Sequence, residues 1–156
     1  MQELLVATFT FGTAIFIFLS MLEIPVYRLI FGGGHHAVAD EALRFVHRNL
    51  RFMTSKLPAS NGVVIMSALA LMIWQGAATS WEVWSTGLLV FYMSGLILIV
   101  LILGNPKTVF SIRRNDSDSA DIDLIIEDLR KVGRDHHIGL TLNLISLITQ
   151  LLIIWS

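Results

Sequence analysis

The chain has 156 residues, of which 54% are hydrophobic and only 15% charged, and its mean hydropathy is +0.70. A soluble domain carries roughly a quarter charged residues, so this is the composition of a membrane protein, and its length suits one helical bundle spanning 1–156. The net charge of −1 gives no general attraction to nucleic acid. The lack of cysteine excludes disulfides, thiolate metal ligands and a cysteine nucleophile.

The first apolar run, about 4–22, is long enough to cross a ~30 Å hydrocarbon layer at ~1.5 Å per residue. It lacks a basic leader and a small-residue cleavage site, so it reads as a retained span. Glu23 closes it and Pro25 follows. A glycine turn and His35-His36 lead into an amphipathic helix over about 38–56. Val38, Ala42, Phe45, Val46, Asn49 and Met53 share one side of it, and Arg44, Arg48 and Arg51 the other. Lying in the headgroup layer, its arginines would meet anionic lipid. Spans at about 62–79 and 84–103, joined by a very short link, form a hairpin with Trp74, Trp81 and Trp84 near its tip. Asn105-Pro106 ends the third span.

The segment 107–134 is polar in its middle. From Ser119 on, Ile122, Ile125, Ile126 and Leu129 fall at helical spacing, with aspartates first and Arg130-Lys131 last, as the helix dipole favours. Gly133 is the expected stop, and Asp135 the expected N-cap of a fourth span over about 136–155. The fold class is therefore all-α: an antiparallel four-helix membrane bundle with amphipathic helices at one face. All 11 Lys and Arg fall between spans 1 and 2 or between spans 3 and 4. The positive-inside rule then puts both long segments in the cytosol and both termini outside.

His136, Gly139, Asn143, Ser146 and Gln150 form a polar or small stripe at helical spacing. In hydrocarbon such a stripe turns to the bundle interior; helix-to-helix packing accounts for its deeper members. Thr13, Ser20 and Glu23 on span 1, and Gly87, Ser94 and Asn105 on span 3, are expected to do the same. At the cytosolic rim Glu23, Asn61, Asn105 and the pair His136-His137 fall at one depth. Such a set can run acid–base chemistry, hold a polar substrate or bind a metal. It also fits ordinary boundary behaviour, with Glu23 solvated or paired to Arg28. Metal candidates are Glu23, His47, His136 and His137, and a haem between His47 and His136 or His137 stays open. The Glu-x-x-His pattern of di-metal bundles is absent.

Three stretches carry a family likeness: FIFLSMLEIPVYRLI with Pro25, FVHRNLRFMTSKLP with Asn49 and Pro58, and Gly104-Asn105-Pro106 followed by Arg134-Asp135-His136-His137. In these the chain resembles the anthrone-oxygenase-like family of small four-span bacterial and fungal membrane proteins. It departs from the family at Lys131-Val132-Gly133, where a Trp is typical, and at Leu140-Thr141, where an Arg is frequent. The resemblance implies a bacterial plasma-membrane protein oxidising a phenolic or polycyclic substrate with dioxygen, a bound cofactor not being required. It makes His136 or His137 the general base, oriented by Asp135 or Glu23, with Asn105, Asn143 and Asn61 on the substrate. An imidazole titrates near pH 6.5, in the range such a base needs. Two other classes suit the same residues. One is a non-catalytic accessory subunit or homo-oligomer, and the other a metal- or haem-binding protein using the rim histidines.

Overall fold

The computed structural model describes residues 1–32, 38–56 and 59–155, without the side chains of residues 56 and 59–61. The described residues are helical, with no strand among them: α1 Gln2–Leu22, α2 Ile24–Phe31, α3 Asp40–Lys56, α4 Ala59–Ala78, α5 Val83–Ile97, α6 Asn105–Arg114 and α7 Ile122–Trp155. A π-helical segment, Leu98–Ile102, extends α5. Three helical stretches are long and apolar enough to cross a membrane: Gln2–Leu22, Val83–Ile102 and Ile122–Trp155. The apolar part of α4, Gly62–Ala78, is shorter.

Two cores are strung along α7. One gathers Leu5 and Phe9 of α1, Ala68 and Met72 of α4, Leu88 and Tyr92 of α5, and Leu142 of α7. The other gathers Val26 and Leu29 of α2, Leu43, Val46 and Leu50 of α3, Ile112 of α6, and Ile125, Ile126 and Leu129 of α7. Residues 130–141 of α7, with Asp135, His136 and His137, lie between them.

The expected break in α7 does not occur. The helix is continuous for 34 residues, ~50 Å at 1.5 Å per residue, and Asp121 caps it, its side chain accepting the Asp123 N–H at 3.1 Å. Gly133 is therefore no stop. A Cβ there would lie 2.6 Å from Val26 Cγ1 and 2.8 Å from Ile30 Cδ1, so the glycine lets α2 approach the helix closely. Asp135 is no cap either, because it sits mid-helix with its carboxylate bonded elsewhere. Gly133→Ala gains about 1 kcal/mol of helix propensity against an overpacking cost of about 1–3 kcal/mol. A net loss of thermal stability is expected, relieved by adding Val26→Ala. A stabilised single variant would show that the contact yields freely.

Between α1 and α2 the chain barely turns. The Glu23 N–H still reaches the Leu19 and Ser20 carbonyls, and the Glu23 carbonyl accepts from Val26 and Tyr27. Pro25, lacking an N–H, removes one rung of the ladder and makes the joint.

At the 79–82 link, Ser80 and Trp81 adopt positive φ, 53° and 59°, which costs roughly 1–2 kcal/mol per residue. Trp81 lies directly on Gly76, where a Cβ would meet the indole at 2.4 Å, and this packing offsets the strain.

The amphipathic face of α3 differs from the expected one. Leu43, Val46, His47 and Leu50 are buried, while Phe45 and Phe52 are exposed. Arg44, Arg48 and Arg51 turn onto the 113–120 segment. Arg44 donates to the Ser117, Asp118 and Ala120 carbonyls, Arg48 pairs with Asp118, and Arg51 with Asp116. On the α5 side, Gly87 and Ser94 face outward rather than into the bundle.

Candidate functional site

The polar stripe of α7 turns inward as its spacing predicts: His136, Gly139, Asn143, Ser146 and Gln150 are all buried. Their partners divide structural roles from chemical ones. Ser146 Oγ donates to the Leu142 carbonyl and Asn143 Nδ2 to the Gly139 carbonyl. Both bonds stay within the helix, and Asn143 Oδ1 is unpartnered among the described residues. Gln150 and Gln75 exchange amide hydrogen bonds of 3.1 and 3.4 Å, tying α7 to α4.

His136 is a clasp. Its Nε2 lies 2.9 Å from the Phe16 carbonyl, and its ring stands edge-on to the Phe16 ring, centroids 4.6 Å apart. A carbonyl only accepts, so Nε2 carries the proton. The same carbonyl accepts the Ser20 hydroxyl at 2.7 Å. Ser20's proton being committed there, Tyr27 donates its own to Ser20 Oγ, 3.1 Å away. Side chains from α1 and α7 thus converge on one oxygen and Tyr27 of α2 joins them through Ser20, which holds the helices together and relays no proton.

His137, next along α7, is exposed and faces a different surface. It stands edge-on to Tyr27 and Phe31, with centroids 6.3 and 6.1 Å away. Tyr27 and Phe31 are parallel to one another, 6.3 Å apart. The imidazole is part of the lining of an open groove of about 340 Å³ formed by Ile17, Ser20, Met21, Ile24, Tyr27, His137 and Leu140. Its walls are almost wholly apolar, and its polar groups are the Ser20 hydroxyl, the Tyr27 phenol and the His137 ring.

Glu23 lies one helical step behind this groove, three residues after Ser20 and four before Tyr27. It is 1% exposed, and neither carboxyl oxygen has a hydrogen-bond partner among the described residues. It is neither solvated nor paired with Arg28. Burial pushes its pKa up to about 7. Burial also raises the Tyr27 phenol, against the Ser20 hydrogen bond and together with the charge of Glu23.

The expected catalytic wiring is not realised. Asp135 accepts from Asn105 Nδ2 at 3.0 Å and from Arg134 at 2.8 and 3.0 Å; it bonds to neither histidine, because its side chain leaves α7 toward the start of α6. Glu23 makes no bond to them either. Asn105 opens α6 with its amide held by Asp135, and Asn143 is bonded within its own helix, so neither lines the groove. The side chain of Asn61 lies outside the described residues, as do His35 and His36.

His47 is fully buried in the other core, its Nδ1 2.7 Å from Ser117 Oγ. Burial lowers its pKa, Asp128 opposing that and Arg51 and Arg44 adding to it. Glu23, His47, His136 and His137 therefore have separate environments. Among the described residues no three His, Asp or Glu side chains gather as a metal donor set.

The residues sequence reasoning missed are Phe16, Tyr27 and Phe31. One signal was present: Ser20 and Tyr27 are seven apart, hence on one helical face, but Pro25 between them hides the continuity. No protein-family model, curated protein or solved structure matches this chain. The fold and site define an all-helical protein with three candidate membrane spans and an open apolar groove that one imidazole helps to line.

Proposed function

We propose that this chain is an antiparallel four-helix membrane bundle, with α4 as the fourth span, that oxidises a phenolic or polycyclic ring taken from the bilayer. Both termini lie outside and the two long segments are cytosolic, in a bacterial plasma membrane, as the arginine and lysine distribution and the family resemblance suggest. The observation that carries this reading is the groove: apolar walls suited to a flat hydrophobic ring, with His137 in the lining beside the Tyr27 phenol.

In an anthrone-type substrate the ring methylene is acidic. His137 takes one of its protons, leaving a carbanion delocalised onto the ring carbonyl oxygen. Dioxygen adds to that carbon, and the imidazolium returns the proton to the peroxide. The hydroperoxide loses water, so that CH₂ and O₂ become C=O and H₂O, with no further reductant. Tyr27 donates a hydrogen bond to the substrate oxygen when it swings from Ser20. Asp135 and Asn105 brace the helix that carries the base.

The test is oxygen uptake by purified protein in nanodiscs supplied with an anthrone. A positioned general base contributes about 10²–10⁴-fold, so His137→Ala is expected to reduce uptake at least a hundredfold. His136→Ala is expected to lower thermal stability instead, since it releases α7 from the Phe16 carbonyl. Uptake that His137→Ala leaves unchanged would remove the enzyme reading. It would leave the non-catalytic subunit, which the outward Gly87 and Ser94 on α5 favour.

A further inference from the structure

The cations with described side chains fall into two groups. Arg44, Arg48 and Arg51 are engaged by the carbonyls and carboxylates of the 113–120 segment, and Arg113 donates to the Thr54 carbonyl. Arg134 is held by Asp135 and Lys131 by Glu127. Arg28, Lys107, Arg114 and Arg130, by contrast, are exposed and make no hydrogen bond or ion pair among the described residues, and of these Lys107 and Arg114 lie together on α6. These two share one face of α6 with Phe110, at helical steps of three and four, and Phe110 is 65% exposed. The opposite face, with Thr108 and Ile112, is buried.

Two further observations set this face apart. Lys107 occupies the first turn of α6, where the helix dipole disfavours a cation, and no acidic residue shares that turn. A local rule broken without an internal partner points outward, to an anion beyond the chain. The face is also continuous with apolar surface. Leu101 and Ile102, 74% and 71% exposed, end the apolar stretch, and Gly104, at φ 70°, turns the chain straight into α6. Lys107, Phe110 and Arg114 follow five, eight and twelve residues past the end of that stretch at Ile102, an aromatic between two cations on a helix that begins where headgroups begin. The nearby aspartates do not cancel the charge, because Asp116 and Asp118 are taken by Arg51 and Arg48.

We infer that Lys107, Phe110 and Arg114 form a site for the phosphate headgroup of an anionic phospholipid, Phe110 sitting among the upper acyl carbons. The site rests on the membrane-spanning reading, and it moves anionic-lipid contact from the α3 arginines to α6.

The experiment is native mass spectrometry of the detergent-purified full chain with equal amounts of phosphatidylglycerol and phosphatidylcholine. The wild-type protein is expected to retain phosphatidylglycerol preferentially. Lys107→Gln with Arg114→Gln, neutral changes at exposed positions, is expected to reduce that preference by roughly fivefold per cation removed. Arg48→Gln is expected to leave it intact. Equal retention of the two lipids by the wild type, or an unchanged preference in the double variant, would overturn the site. Displacement of the lipid by free glycerol phosphate would overturn it too, in favour of a soluble phosphate. Alkaline carbonate extraction separates the two readings: a protein washed off membranes defeats the spanning reading, whereas an integral protein without lipid preference defeats only this one.

Discussion

Replacing Glu23 by Gln is expected to stabilise the protein above pH 7 and to leave it nearly unchanged near pH 4.5. The carboxyl is buried without a partner, and burial raises its pKa from 4.5 to about 7. In the unfolded chain it ionises near 4.5, so the unfolded state releases its proton first as pH rises. The contribution of Glu23 to stability is therefore complete below about 4.5 and is lost progressively up to about 7. A shift of that size corresponds to about 3 kcal/mol. Gln keeps the shape of the neutral acid and has no proton to lose. Unfolding of the detergent-solubilised protein should show wild type and Glu23→Gln diverging between pH 4.5 and 7 and running parallel above it. Parallel curves over the whole range would mean that Glu23 is solvated in the folded protein. Ionisation of Glu23 also puts a charge near the Tyr27 phenol, raising that group further.

The second large effect is expected at the amide pair. Gln75 and Gln150 are 1% and 0% exposed and satisfy each other across α4 and α7. Gln75→Leu strands a buried amide on α7, a cost of about 1–3 kcal/mol. Gln150→Leu does the same on α4. With both replaced no polar group is stranded and a leucine pair fills the space, so the double variant is expected to recover most of the loss. The measurement is a double-mutant cycle on unfolding free energy. Additive losses would show that the amides act independently and that water or lipid satisfies each one alone.

Some of this was legible in the residues. The apolar runs, the amphipathic segments and the inward stripe on α7 all follow from periodicity, because a polar group in an apolar surround has to turn toward other polar groups. Ile125, Ile126 and Leu129 enter a core as their spacing predicts. Other features were not legible. Gly133 and Asp135 have the chemistry of a stop and a cap, and local propensity predicts a break there. Packing of α2 on Gly133, and the bonds of Asp135 to Asn105 and Arg134, hold one continuous helix instead. Tertiary packing outweighs local signals of about 1 kcal/mol. The arginine face of α3 has the local pattern of a lipid-facing surface, because its acidic partners lie some 65–70 residues away in sequence.

The sequence by itself determined an all-helical, strongly apolar chain with its positive charge confined to two segments, because composition and the 3.6-residue period act locally. Only the tertiary structure decided which histidine does what. Adjacent helical residues point about 100° apart, so His136 meets the Phe16 carbonyl and becomes a clasp, while His137 meets Tyr27, Phe31 and an open groove. Periodicity puts His136 on the inward stripe, but what each imidazole does is set by what stands opposite it.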